Sequence, residues 1–486
     1  MNFFICRILN TKMQGEMKKM ISFAAAIILL IFGYIFYGKL AEKIFSPDDR
    51  KTPALKMHDG VDFVPMKRWK AFLVQLLNIA GTGPIFGALM GAVFGPSVFL
   101  WIVFGSVLGG AVHDYFTGMI SERNGGASMA ELSGKYLGRS SKYAMRVFSV
   151  VLLILVGTVF VTSPASLLAE LTPDFLNADL WTAAILIYYV LATMMPIDKI
   201  IGRMYPIFGI TLIVMALGII GGVIFGGYEI PDITLKNIHP DKLPIWPYMF
   251  VTVACGAISG FHATQSPLIA KCITHEKQGK NIFYGAMITE AVIALIWAAA
   301  GLSYYKADGS LNSALANLGQ SSVVYNISKG LLGRIGGILA VIGVVICPIT
   351  SGDTAFRGAR IILAETTGLK QNKIKNRLIL TVPLLGIGAI LTQIDFNVLW
   401  RYFSWSNQTL AMISLWCISA YLIHNKKNYS FLISAIPASF MTAVSITYIL
   451  MAPEGLSISS AAAYPIGIIS AVAAFVWCVM RFRLTG

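Results

Sequence analysis

Residues 78–96, NIAGTGPIFGALMGAVFGP, lie inside a long apolar run and yet hold five glycines, two prolines and an amide. Lipid offers no partner to a backbone N–H or C=O that a helix has released. Gly81-Thr82-Gly83-Pro84 is therefore read as a helix break, tolerable only where protein buries it or a wet cavity meets it. Such places bind ions and solutes. A second run of this kind, GAISGFHATQSP over 256–267, follows about 175 residues later. Pro84 and Pro267 each remove a backbone donor within an apolar span. The pair of breaks predicts a transporter folded around them.

Of the 486 residues, 56% are hydrophobic and only 13% charged. A soluble chain of this length needs more polar surface, so the sequence reads as an all-α polytopic membrane protein. A net charge of +15 would suit nucleic acid in a soluble protein. Here basic loops set topology and meet anionic lipid headgroups, so the lipid bilayer and not nucleic acid is the expected partner. The six cysteines are scattered without a CxxC or a disulfide framework, and they predict no metal or redox role. No HExxH or GxSxG argues for an intramembrane enzyme, and no cofactor is expected.

Thirteen helices are predicted: 21–41, 71–95, 97–121, 142–169, 181–196, 204–227, 248–270, 281–305, 329–351, 378–392, 396–423, 430–451 and 460–480. The first lacks a small-residue cleavage site and reads as a retained helix, not a signal peptide. Lysine and arginine concentrate in alternate loops: 42–70, 123–146, 199–203, 271–280, 357–377 and 426–427, and again in Arg481 and Arg483. That bias places those segments and the C-terminus in the cytoplasm. Residues 1–20 would then lie outside although they carry Arg7, Lys12, Lys18 and Lys19, an anomaly that a start at Met17 or Met20 would shrink.

From residue 71 the next ten spans fall into two sets of five, 71–227 and 248–423. An odd number per set inverts the second set relative to the first, and each set opens with the broken helix. The expected organisation is a five-plus-five inverted repeat, preceded by a tail (1–20) and one extra helix with its cytoplasmic linker (21–70). Two further helices follow over 430–486.

NIAGTGPIFGA, GGAVHDYFTGMISERNGGASMAELSGKYLG (109–138), SGFHATQSPLIAK (259–271), TSGDTAFRGARI (350–361) and WRYFSWSNQTLA (400–411) resemble the carbon starvation protein family, CstA. The resemblance runs from about residue 20 to the end of the apolar chain, which looks like a shorter member without a large C-terminal soluble extension. It implies proton-driven uptake of pyruvate or of peptides across the bacterial cytoplasmic (inner) membrane. It also implies kinship with the amino acid–polyamine–organocation transporters and their LeuT-like inverted repeat. A passive channel or a membrane nutrient sensor is the more remote reading.

A coupled carrier of a small anion needs carboxylate donors, a proton acceptor and helices that rock. Backbone N–H groups freed at half-helix N-termini suit a carboxylate. Gly81, Thr82, Gly83, Ser259 and Gly260 are the candidates, with side-chain bonds from Asn78, Thr82, Ser259, Thr264 and Gln265 and with His262 beside them. His113, Asp114, His262 and Glu290 are the candidates for proton coupling, because intramembrane ionisable residues are rare and costly. Each also fits a buried group that only hydrogen-bonds. Gly105, Gly109 and His113 share one helix stripe at i, i+4, i+8, which brings a neighbour close. Asp353 with Thr350, Ser351 and Thr354, expected where span 329–351 ends behind Pro348, suits a Na⁺ ion or a gate in which Asp353 pairs with Arg357 or Arg360. The gate is preferred, protons being the expected coupling ion. Asp395 and Arg401, near the outer end of the tenth core helix, are expected to form a structural pair or, as the second choice, an outer gate.

Overall fold

The computed structural model describes residues 20–59, 63–194, 197–306, 310–371, 373–426 and 429–485. The tail expected over 1–20 therefore lies, save for Met20, outside the described residues, as does Lys427. Helix α1 is Ile21–Phe45. The first broken helix is α2 (Arg68–Ala80) with α3 (Gly83–Ala92), bent by 47°. Then come α4 (Val98–Arg123), a short α5 (Met129–Tyr136), α6 (Arg139–Leu171), α7 (Ala178–Met194) and α8 (Ile197–Phe225). The second broken helix is α9 (Ile245–Thr252) with α10 (His262–Ala270), and α11 is Glu276–Tyr304. The chain closes with α12 (Ser310–Val341), α13 (Cys347–Thr367), α14 (Ile374–Leu391), α15 (Phe396–Lys426), α16 (Leu432–Met451) and α17 (Ser460–Thr485).

Among the described residues nine helices are long and apolar enough to cross a membrane, or ten if α2 and α3 are one span. The outward faces carry large apolar side chains such as Phe36, Ile187, Leu217 and Ile390. The long α6 packs on α13, and α15 on α16, while α3 lies against α11 and α10 against α4.

Why the first helix breaks is visible in its backbone. Gly81 has φ +25° and ψ −139°, a conformation costly for any residue with a Cβ. Pro84 then falls in the first turn of α3, where its missing N–H needs no partner. The second break differs from the sequence reading. It spans 253–261, with Gly256 at φ +89°, and Pro267 sits inside the half-helix that follows. Thr264 and Gln265 are thus helical, and His262 opens α10.

Two further corrections concern the second half. Residues 310–328, between the expected spans 281–305 and 329–351, are helical and belong to α12, which is kinked at Gly319 and Gly333. The span expected to stop at 351 does not stop. A π-helical turn over Ile342–Ile346 joins α12 to α13, and Pro348 lies in the first turn of α13. Thr350, Ser351, Asp353 and Thr354 are therefore within α13 and not at a helix end.

Candidate functional site

The two breaks lie against one another. A Cβ placed on Gly83 would stand 2.6 Å from Cys255 Sγ, and one on Gly256 would meet Pro84 Cα at 3.6 Å. Gly87 faces the carbonyls of Thr252 and Cys255 at 3.3 and 3.6 Å from such a Cβ. Glycine at 83 and 256 is what lets two main chains approach this closely.

Beside this contact is a buried group of four ionisable side chains. His113 and Asp114 come from α4, His262 from the first turn of α10 and Glu290 from α11, and all are fully buried. Asp114 accepts from both imidazoles: Oδ1 from His113 Nδ1 at 2.8 Å and Oδ2 from His262 Nδ1 at 2.8 Å. On its other side His262 Nε2 stands 3.4 Å from Glu290 Oε2. The glycine stripe explains the approach of α4: Cβ atoms on Gly105 and Gly109 would lie 3.1 Å from Ala257 and Ile258 of the second break. Among the described residues His113 Nε2 has no hydrogen-bond partner, and the 3.4 Å facing of His262 Nε2 and Glu290 is longer than a good hydrogen bond. Orphaned polar atoms in a core are costly and point to a function that uses them.

Cys255 Sγ, a His262 nitrogen and a Glu290 oxygen lie within 4.8 Å of one another. Those donor types could hold a metal ion. We read the trio as part of the acid–base group, in which His262 Nε2 faces Glu290 Oε2.

The second break is held by a residue that the sequence reading placed only on the tenth core helix. Asn407 of α15 is fully buried. Its Oδ1 accepts from Phe261 N–H at 2.7 Å and Ser259 Oγ at 3.1 Å, and its carbonyl accepts from Gly260 N–H at 3.2 Å. The donors expected to face a carboxylate at Ser259 and Gly260 are thus engaged by α15. The first break is less committed: Thr82 Oγ1 is buried without a partner. Before the break, one turn apart on α2, stand Asn78 and the buried Gln75, whose Nε2 donates to Ser266 Oγ at 3.2 Å while Oε1 has no partner among the described residues. Gln75 was missed; the spacing 75, 78 within an apolar span was the available signal. Thr264 donates to the carbonyl of Phe261 and Gln265 to Thr264, leaving Gln265 Oε1 without a partner.

The remaining candidates lie apart from this centre. Arg357 Nη2 donates to Asp353 Oδ2 at 2.8 Å, one turn along α13. Thr350 and Thr354 donate to helix carbonyls. Asp395 caps α15, accepting from Asn397 N–H at 3.0 Å and Val398 N–H at 3.2 Å. The expected Asp395–Arg401 pair is not formed. Arg401 donates instead to Glu454 at 3.1 Å, beyond α16, where Tyr448 Oη donates to the same carboxylate at 2.6 Å. The reason is direction: Asp395 spends its oxygen on the helix N-terminus, and Arg401 faces the following hairpin.

At the other end of the bundle Glu276 accepts from Arg123 at 2.9 and 2.8 Å, and Arg50 Nε stands 3.3 Å from it. The Arg123 guanidinium lies 3.9 Å from the Phe45 ring centre. This ties the linker after α1 to α4 and α11, a contact not foreseen from the sequence.

The sequence profile of carbon starvation protein CstA matches residues 18–174, 167–324 and 307–448, nearly the whole chain. The chain belongs to the carbon starvation protein CstA family. A membrane protein of Haemophilus influenzae is 43% identical over 350 residues, 61% of this chain and 94% of its own. A peptide transporter CstA of Campylobacter jejuni is 28% identical, covering 56% of this chain and 48% of itself. The pyruvate/proton symporter BtsT of Escherichia coli is 24% identical, covering 56% of this chain and 47% of itself. The chain thus matches about half the length of those two relatives. A manganese transporter of Eremococcus coleocola is 12% identical, with TM-score 0.55 over 86% of this chain and 95% of that one. MhsT in complex with L-phenylalanine is 14% identical, with TM-score 0.54 over 87% and 99%. This member of the CstA family therefore has the LeuT-like fold, a five-plus-five inverted repeat with helices added at both ends.

Proposed function

We propose that the chain is a proton-coupled symporter that carries pyruvate or a related small carboxylate inward across the bacterial cytoplasmic membrane. The observation that carries this reading is the His113–Asp114–His262–Glu290 group, set beside two broken helices that touch at their breaks. Two imidazoles and two carboxylates form a store for protons. Each proton gained or lost changes a charge that buried surroundings screen poorly, so protonation and local geometry are tightly linked.

Thr82, Asn78 and Gln75 supply the polar face on which the carboxylate rests, with the N-terminus of α3 beneath it. Binding there draws the α2–α3 pair and the α9–α10 pair together, and the bundle that holds them rocks against α6 and α13. Protons are favoured over sodium because Asp353 is paired with Arg357. The Lys/Arg bias supports a cytoplasmic C-terminus.

Short peptides are the second reading, favoured by the Campylobacter relative, which is a peptide transporter CstA. Uptake of labelled pyruvate, lactate, acetate and a dipeptide into vesicles, with and without an uncoupler and sodium, decides. Pyruvate accumulation that collapses with the uncoupler and ignores sodium is expected. Accumulation of dipeptide alone would replace the substrate, and uptake that never exceeds equilibrium would make the protein a channel.

A further inference from the structure

Helix α13 carries a second buried polar cluster. Arg357 and Arg360 are only 7% and 4% exposed. Arg357 has two acceptors, Asp353 Oδ2 at 2.8 Å and the carbonyl of Ala192 at 3.2 Å, but its Nε has none. Arg360 Nε and Nη1 likewise have no acceptor. Among the described residues the charged groups facing Arg360 are Arg357, Arg377 and a single carboxylate, Asp353. The Nε of Arg377 is spent on the carbonyl of Gln371 at 2.7 Å.

Guanidinium stays charged in proteins, so this place holds more positive charge than the described residues neutralise. Burying an uncompensated cation is costly, and three buried donors without acceptors add to that cost. The economical resolution is an oxyanion, since carboxylate matches the planar N–H fork of arginine with two parallel hydrogen bonds.

The cluster is also close to the first break. A Cβ on Gly81 would meet Phe160 Cζ at 2.8 Å, and one on Gly352 would meet Phe160 Cβ at 3.2 Å. One phenyl ring therefore separates the break from the residue preceding Asp353. Arg357 and Arg360 follow one and two turns further, toward the end of α13 that the Lys/Arg bias places inside.

We propose that Arg357 and Arg360 form a second carboxylate station, one ring and one to two helical turns from the central site and on its inner side, which receives the substrate's carboxylate as it leaves the breaks. Asp353 holds Arg357 in place and keeps the affinity low enough for release. This rests on the reading of the substrate as a small carboxylate. An anionic lipid phosphate would offer the same oxyanion chemistry, and the test separates the two.

Wild-type protein, stripped of lipid in maltoside detergent, is titrated with labelled pyruvate beside R360Q, R360K and T82A. Two pyruvates per chain are expected at saturation, and one in R360Q or in T82A. R360K, which keeps the charge but not the fork, should bind the second at least tenfold more weakly. One pyruvate per chain, lost in T82A and unchanged in R360Q, overturns the inference and leaves the proposed function standing. One pyruvate, lost in R360Q and kept in T82A, supports the arginines and overturns the central site. Phosphatidylglycerol retained by the wild type and not by R360Q, with pyruvate binding unaltered, overturns the carboxylate in favour of lipid phosphate. Should R360Q fail to fold, an unchanged R360K titration overturns the inference alone, and no binding to wild type overturns both readings.

Discussion

Asn407→Ala is the substitution that most directly tests how the second break is held. The side chain accepts from Phe261 N–H at 2.7 Å and from Ser259 Oγ at 3.1 Å, and truncation removes both bonds at once. A buried donor left without its acceptor costs about 1–3 kcal/mol. The Ser259 hydroxyl can turn to Cys255 Sγ at 3.5 Å, so the larger share falls on the Phe261 amide, which has no freedom to turn. Hydrogen bonds between membrane helices average only ~0.6 kcal/mol, because the unfolded chain in lipid finds other partners. The Phe261 amide has no such freedom, so the loss exceeds that average and is about 1–4 kcal/mol.

If the loss falls on the geometry of the break, uptake declines by about 5-fold to 1000-fold, at 1.4 kcal/mol per factor of ten. The assay is the initial rate of labelled pyruvate uptake in proteoliposomes, measured beside the melting temperature of the purified protein. Asn407→Asp, which keeps the acceptor oxygen, should fall between wild type and Asn407→Ala. Uptake by Asn407→Ala within twofold of wild type would refute the reasoning. A lowered melting temperature with full uptake would refute it too, since Asn407 would then only pack.

Asp114→Asn removes the charge between the two imidazoles, and pyruvate uptake driven by a pH gradient should fall about 100-fold, a loss of ~3 kcal/mol. Exchange of pyruvate for pyruvate should be largely kept, and an equal loss of both would make Asp114 a structural acceptor. Gly260→Ala should lower the melting temperature, because its Cβ would strike the α15 main chain at Asn407 and Ala411, and overpacking costs ~1–3 kcal/mol. Gly386→Ala meets nothing and should be neutral or stabilising by up to ~1 kcal/mol, so equal effects would defeat the argument. The Glu131 carboxyl is held below the usual range chiefly by its hydrogen bond from Lys142. A depressed carboxyl stabilises the fold above its unfolded pKa of ~4.3 and the gain is lost as pH falls further. Glu131 is 41% exposed, so the gain is under ~1 kcal/mol, and Glu131→Gln should flatten that part of the melting-temperature profile between pH 3 and 6.

What the sequence could and could not convey follows from the range of each interaction. Gly81 is a local signal: a glycine beside Thr-Gly-Pro inside an apolar run needs no distant partner to break a helix, and the break lies there. Pro267 misled for the same reason, because proline weakens a helix only when the lost donor has no substitute, and at Pro267 α10 continues. His113, Asp114, His262 and Glu290 were each conspicuous as polar groups in apolar spans. That they meet depends on the rotation of α4, α10 and α11 about their axes, which includes a π-helical turn over Gly105–Gly110. No periodicity announces that turn. Asn407, Gln75 and the Arg401–Glu454 pair were hidden similarly, since a polar residue in a helix looks the same whether it faces a break, a hairpin or water.

The two breaks are held by different means, and that difference bears on coupling. The first is written into its own backbone through Gly81, and its hydroxyl at Thr82 is left without a partner. The second depends on a side chain from α15, outside the pair of broken helices. His262 is the residue after Phe261, whose N–H is the one that Asn407 holds. On the proposed mechanism, a proton arriving at the imidazole alters its pull on Asp114 and Glu290 and so the placement of the first turn of α10. That shift loads the Phe261–Asn407 bond directly, one residue away, and reaches α15 before it reaches the substrate face at Thr82. The order can be tested through Asn407→Asp. It places a carboxylate within one residue of His262 and should shift the pH dependence of uptake, whereas Thr82→Ser should lower the rate without moving the pH profile. A pH profile moved equally by both would mean that proton and substrate act at one place, and the separate anchoring of the second break would have no part in coupling.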